Sequence, residues 1–428
     1  MATSSQMGDG VQRVRVLGRA AARRDGQPPG RAGWAFAALL TARTVSASGT
    51  AFTQVAMAFA ILSLGGTAAS IGLVLGAAAV SQFAPLLVGG VLADRLPRRL
   101  LMQTCDVAAG LAQLAVSVLL IIGQARIWEL LIAAVLVAAA TAFSMPAAPA
   151  LLAETIPADR LQRANGWLSI ADSGAAFAGP LAAGLLVAAA GSGYAFLADA
   201  ASFGLSAVLL ARVPAGCRER AEAASFSAQL KKGWAEVASR RWYWLNLSSQ
   251  SLYNLALSAV YVLGPVIALH RFGGAASWGI ITAAMAVGAV VGGILVLRIR
   301  PRRPLVAGNL ALVPGAALMF ALAFSGRMLL VTAAALVTFA GTAFLNGVWQ
   351  TTVQRHIPQD VMARVSSYDY LLSFATSPIG LAVAGPLALA FGPVAVLVTA
   401  AALIVVPSSL ICLSGSVRRI RAEDSAET

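Results

Sequence analysis

Long apolar stretches separated by short polar turns recur along almost the whole chain, from about Trp34 to Leu413. A helix needs ~20 mostly apolar residues to cross ~30 Å of hydrocarbon. Counting stretches of that length predicts twelve spans: 34–62, 69–93, 100–123, 129–152, 165–190, 193–212, 243–269, 275–297, 304–326, 328–351, 366–390 and 393–414. The connections at 191–193 and 391–393 are so short that the fifth and sixth spans, and the eleventh and twelfth, must be tight antiparallel pairs. The expected fold is an all-α membrane protein of twelve transmembrane helices in two six-helix halves. In this layout 1–33 is a disordered cytoplasmic tail, 34–212 the first bundle and 213–242 a cytoplasmic linker. The second bundle is 243–414, and 415–428 forms a second cytoplasmic tail.

The turn between the second and third spans sets the orientation. An uncharged run from Ser70 to Ala93 ends abruptly in Asp94, Arg95, Arg98 and Arg99. Burying Asp94 or Arg95 in hydrocarbon would cost at least ~2.5 kcal/mol each, so the turn lies at the water surface. Basic short loops stay on the cytoplasmic side. With these spans, 27 of the 31 arginines and lysines fall on one side of the membrane, which predicts both termini in the cytoplasm.

The two halves repeat. Ile156-Pro157-x-Asp159-x-x-x-Arg163 recurs as Ile357-Pro358-x-Asp360-x-x-x-Arg364, an offset of 201 residues. At the same offset Gly179, Gly184 and Gly191 meet Gly380, Gly385 and Gly392. Two six-span halves in parallel repeat are the plan of a rocking transporter, with its binding site between the halves near the bilayer midplane.

Composition narrows the chemistry. With 59% hydrophobic and 11% charged residues, a set of soluble domains is excluded. The net charge of +14 sits in loops between spans, where it sets topology rather than binding nucleic acid. Lys231 and Lys232 are the only lysines, so no phosphate-binding G-x-x-x-x-G-K loop exists and the chain is not its own ATPase. Cys105, Cys217 and Cys412 lack metal-ligand spacing, and no disulfide is expected. His270 and His356 are isolated. No catalytic constellation and no cofactor are expected.

Gly90-x-Leu92-Ala93-Asp94-Arg95-x-x-Arg98-Arg99 resembles the loop between spans two and three of major facilitator superfamily transporters, with Pro97 where that pattern usually has glycine. Its extension through Met102 to Asp106 resembles the drug:proton antiporter branch, which includes macrolide-efflux proteins and siderophore exporters. The resemblance implies the major facilitator fold. It also implies a latch, in which Asp94 with Arg95, Arg98 and Arg99 holds the cytoplasmic side shut. Asp106 near the start of the third span, and Asp369 near that of the eleventh, are read as stabilising helix ends or this gate. Arg43-x-x-Ser46-x-x-Gly49 resembles the family's first span, although Thr50 stands where relatives often carry an acid. Gly179-Pro180-x-x-Ala183-Gly184 partly matches a glycine-proline motif of antiporters.

Arg43, Ser46, Thr50 and Gln54 follow helical spacing and share one face, so Arg43 points into a wet cavity or snorkels to the surface. Asp172, two turns into a cavity-lining span, is the proton-site candidate, with Arg43 the second candidate for coupling; the alternative is a structural pair of Asp172 with Arg43 or another polar neighbour. Asp199 is expected to be structural. Asn246, Gln250, Asn254 and Ser258 recur every four residues in the seventh span, as do Thr338, Thr342, Asn346 and Gln350 in the tenth. These rows, with Tyr253, Tyr261 and Trp349, are the expected substrate contacts; interhelical hydrogen bonding is the alternative. A weakly polar, aromatic-bearing cavity suits a bulky amphipathic compound. The reading is a monomeric secondary transporter of the bacterial cytoplasmic membrane, exporting an antibiotic, siderophore or other secondary metabolite in exchange for protons. An importer or facilitator on the same fold is the first alternative, and a non-transporting receptor the second.

Overall fold

The protein's structure, a computed structural model, describes residues 29–93, 97–156, 161–213, 238–357 and 359–421. The described residues form helices and no strands. In order, the first six spans are Pro29–Ser63, Ala68–Ala93, Arg98–Ile121, Ile127–Thr155, Leu161–Ala190 and Ser192–Ala211. The seventh and eighth are Arg241–Arg271 and Ala275–Arg298, the tenth Met328–His356 and the twelfth Pro393–Leu413. Eleven spans are long and apolar enough throughout to cross a bilayer, and the described apolar stretch of the second, Ala68–Phe83, is shorter.

Two spans are broken beside a proline that removes a rung of the hydrogen-bond ladder. The ninth runs Pro304–Leu312, tightens to a 3-10 turn over Val313–Gly315 and resumes as Ala316–Phe324, because Pro314 has no N–H to donate. The eleventh stops at Phe374, whose carbonyl the ring of Pro378 would meet in a continuous helix, and restarts as Ser377–Phe391. A short last helix, Gly415–Arg418, follows the twelfth span.

The repeat is present in backbone detail. Gly191 and Gly392 each join two spans as a single non-helical residue, with φ/ψ of 94°/165° and 83°/151°. Only glycine adopts that conformation freely. Apolar side chains such as Leu111, Leu329 and Leu389 stand exposed along the outside, as a lipid-facing surface requires.

Within lipid, helices associate through close packing of small residues rather than by hiding apolar surface from water. Two seams join the halves in this way. In one, Gly184 of the fifth span abuts Gly279 and Ala275 of the eighth: a Cβ on Gly184 would sit 2.6 Å from the Ala275 carbonyl oxygen. In the other, Gly385 of the eleventh abuts the second, its Cβ falling 2.4 Å from Ala68 O and from Ala69 Cα. Gly72, from the second span, returns the contact on Leu381 O, at 2.3 Å. The two seams are related by the same internal repeat, since fifth and second correspond to eleventh and eighth.

Both seams lie at the ends bearing Gly191 and Gly392, the arginine-poor face. Toward the opposite, arginine-rich face the same helices part: Gly166 and Gly174 of the fifth span and Gly293 of the eighth have no atom within 4 Å of an added Cβ. Trp167 and Ile170 are exposed there. Among the described residues, the bundle is closed at the arginine-poor face and open at the other.

Candidate functional site

The first span positions the site. Arg43, Ser46, Ala47, Thr50, Ala51 and Gln54 fall on one helical face and form a wall of a cavity of about 380 Å³. The third span adds Met102, Cys105, Asp106 and Ala109, and the fourth Thr141, Ser144 and Met145. Asp172, Ala175 and Ala176 come from the fifth, Phe203, Ser206 and Leu210 from the sixth. At 1.5 Å per residue, Asp106 and Asp172 lie ~12 and ~16 Å from the arginine-rich ends of their helices, near mid-membrane depth.

Three charged side chains therefore share one cavity. Asp106 is 9% exposed, and its Oδ2 accepts a hydrogen bond from Ser206 Oγ at 2.6 Å. The half-buried Arg43 is near enough for its charge to act on Asp106. Asp172 is exposed to the cavity, and among the described residues no hydrogen bond or ion pair to it is found. The cavity thus holds one guanidinium and two carboxylates, of which one is held by a neighbouring helix and one is open. Among the described residues, the Ser144 hydroxyl, buried beside Cys105, has no hydrogen-bond partner of normal geometry. Such an orphan donor in a cavity wall is a group that a ligand or water can satisfy.

Of the expected gate, Asp94 and Arg95 lie outside the described residues. Arg98 is half-buried at the start of the third span, and Arg99 Nη1 donates to the Val213 carbonyl at 2.8 Å, closing the end of the sixth. Asp106 stands two turns inside its helix, on the cavity wall. Asp199 sits behind the cavity, fully buried. Its Oδ2 accepts hydrogen bonds from Thr53 Oγ1 and from Gln113 Nε2 at 2.6 Å, and Ser202 lies against Oδ1. This cluster ties the first, third and sixth spans together, and Gly49 packs directly on Ser202 and Asp199.

The expected contacts of the second half divide in two. Several are engaged between helices, outside the lining of this cavity. Asn309 Nδ2 donates to Asn246 Oδ1 at 2.7 Å, and Asn254 Nδ2 to the Ser373 carbonyl at 2.8 Å. The Tyr253 and Thr342 hydroxyls pair at 2.5 Å; Thr342 already donates to Thr338 O, so Tyr253 is the donor. Trp349 Nε1 donates to both oxygens of Asp369 at 3.1 and 3.2 Å, inside a group of rings with Trp242 and Tyr243. Asn346, Gln350 and Tyr261 are instead exposed, and Gln250 is partly so. Asn346 and Gln350 occupy the strip of the tenth span between the side that meets the eighth, where Gly347 touches Val296, and the side of Trp349. Ser144 and Ser206 were not singled out by sequence reasoning; lone serines in apolar spans carry no periodic signal.

The comparisons with known proteins agree with this architecture. The chain is 27% identical over 367 residues to the multidrug efflux pump Tap of Mycobacterium tuberculosis, which covers 83% of this chain and 87% of that protein. Among solved structures, it is similar to a bacterial homolog of the human lysosomal transporter Spinster in an inward-facing, unoccupied conformation. That match has a TM-score of 0.71 and 15% identity over 92% of this chain and 98% of the other. A bacterial homologue of the iron transporter ferroportin, also inward-facing, gives a TM-score of 0.68 with 18% identity over 90% and 100% of the two chains. A sequence model described as the Major Facilitator Superfamily matches residues 39–381. Twelve spans in two repeated halves, two glycine seams and a charged mid-membrane cavity thus have one source: the chain belongs to the Major Facilitator Superfamily of membrane transporters.

Proposed function

We propose that this transporter exports amphipathic small molecules from the bacterial cytoplasm in exchange for protons. The observation that carries the reading is the cavity itself: one arginine and two carboxylates at mid-membrane depth, opening toward the arginine-rich face. The positive-inside rule makes that face cytoplasmic, so the structure corresponds to an inward-open state ready to load cargo from inside the cell. The relation to an efflux pump supports the direction of transport.

In this mechanism Asp172 is the proton carrier. It is the open carboxylate, whereas Asp106 is occupied by Ser206 and by the charge of Arg43. Cargo enters among Thr50, Gln54 and the aliphatic and aromatic lining of the first half, and meets Gln250, Tyr261, Asn346 and Gln350 when the halves close over it. A proton on Asp172, taken up from the outer side, then resets the pump. The turn containing Asp94, Arg95, Arg98 and Arg99 latches the cytoplasmic side in the outward-open state.

Inverted membrane vesicles with an acidic interior test this. A fluorescent amphipathic dye should accumulate inside, accumulation should stop when the pH gradient is collapsed, and Asp172→Asn should abolish the response to the gradient. Accumulation that persists unchanged after collapse would remove proton exchange, and movement of dye out of the vesicles would make the protein an importer.

A further inference from the structure

At the arginine-rich end of the second half the chain builds a site of different character, far from the cavity. The last helix, Gly415–Arg418, folds back on the bundle: Val417 is fully buried, and with Ile420 it packs among Tyr243, Leu305 and Ile411. Arg418 Nε donates to the Cys412 carbonyl at 2.7 Å. This docking holds the chain end beside the turn between the eighth and ninth spans. Arg303, Arg418, Arg419 and Arg421 together with Gly415 line a surface depression of about 360 Å³. An adjoining depression of about 660 Å³ shares Arg419 and Gly415, adds Arg241, and continues along Leu245, Leu410 and Leu413. Among the described residues, neither lining contains a carboxylate.

Setting topology needs positive charge on one side, and a loose tail supplies that. It does not need arginines fastened by a buried valine and a main-chain hydrogen bond around a hollow. Nor does it need that hollow to run on into an aliphatic groove whose Leu410 and Leu413 are exposed where lipid lies. Clustered positive charge at the membrane surface attracts the phosphate of anionic lipids, and a cationic hollow joined to an apolar groove has the two-part chemistry of a lipid. We propose that the two depressions form one binding site for an anionic phospholipid. Arg241, Arg303, Arg418 and Arg419 hold its phosphate-bearing headgroup, and an acyl chain lies along Leu245, Leu410 and Leu413. Occupancy braces the start of the seventh span, the end of the twelfth and the turn before the ninth, at the face where the halves part.

The test is native mass spectrometry of the full chain in detergent, titrated with phosphatidylglycerol or phosphatidylcholine. Phosphatidylglycerol should be retained in preference, and Arg241→Gln with Arg419→Gln should weaken it roughly thirtyfold, on the scale of the attraction of surface arginines to anionic lipid. Arg241→Lys with Arg419→Lys keeps both charges and should stay within a few-fold of the parent. Equal retention of the two lipids, or a glutamine double variant that keeps its preference, would overturn the proposal. So would a lysine variant as defective as the glutamine one, since fold rather than charge would then be at fault. Soluble glycerol phosphate should fail to displace the lipid at millimolar concentration; displacement would make this a free-phosphate site and end the lipid assignment.

Discussion

Gly184→Ala and Gly385→Ala test whether the two glycine seams hold the conformation described above. Each adds a methyl group where the structure leaves no room: 2.6 Å from the Ala275 carbonyl at the first position and 2.4 Å from Ala69 Cα at the second. Non-bonded carbon atoms are comfortable at ~3.5–4.0 Å, so each seam must widen by about 1 Å. Overpacking of this kind costs ~1–3 kcal/mol. The cost falls on the state in which the arginine-poor face is closed and is relieved when that face opens. Each substitution should therefore shift the balance between the two states by roughly 5- to 150-fold. Cys105 is a built-in reporter, because it lines the cavity that opens at the arginine-rich face. In a Cys217→Ser, Cys412→Ser background, a membrane-impermeant maleimide applied from that face should label Cys105 more slowly, by up to the same factor. Gly293→Ala, with no atom within 4 Å of its new methyl, should leave labelling unchanged. Labelling rates that are equal in all four proteins, at normal expression, would refute the argument that the seams set the state.

Other substitutions separate structure from transport. Asp199→Leu strands the Thr53 and Gln113 donors inside the bundle, each at ~1–3 kcal/mol, and should lower the unfolding temperature in detergent far more than Asp199→Asn, which keeps the shape and an acceptor. Trp349→Phe removes a donor to Asp369 together with part of the ring packed on Trp242 and Tyr243, so it should cost about 1–3 kcal/mol in the same assay. Arg43→Gln and Asp106→Asn each leave one charge in the cavity without its neighbour. The double substitution should recover dye transport relative to either single one, and strictly additive losses would show that the two groups act separately.

Much of the architecture is legible in the sequence because a bilayer imposes it. Apolar length fixes the spans, and the helix ends fall within a few residues of the expected ones in most cases; the first begins at Pro29, inside the expected tail. The offset of 201 residues reappears as matched turns at Gly191 and Gly392 and as matched seams at Gly184 and Gly385. Direction is less legible than periodicity. A four-residue row such as Asn246, Gln250 and Asn254 marks one helical face, but the pattern is the same whether that face meets a cavity or another helix. Here Asn246 meets Asn309 and Asn254 meets the Ser373 carbonyl. The breaks in the ninth and eleventh spans were written in Pro314 and Pro378, yet a proline inside an apolar run is equally compatible with a continuous helix, as Pro180 and Pro265 demonstrate. The pairing of Asp106 with Ser206, 100 residues away, depends on the third and sixth spans being neighbours, which no local signal contains.

The fifth span carries two jobs at different heights of one helix. Asp172, Ala175 and Ala176 look into the cavity, while Gly184, about two turns further on, presses against the eighth span. Selectivity and motion are thereby decoupled: a residue in the wall can be exchanged to admit a new cargo without disturbing the seam on which the halves meet. A transporter built on this division can broaden or shift its range through single wall changes instead of a redesign of the machine.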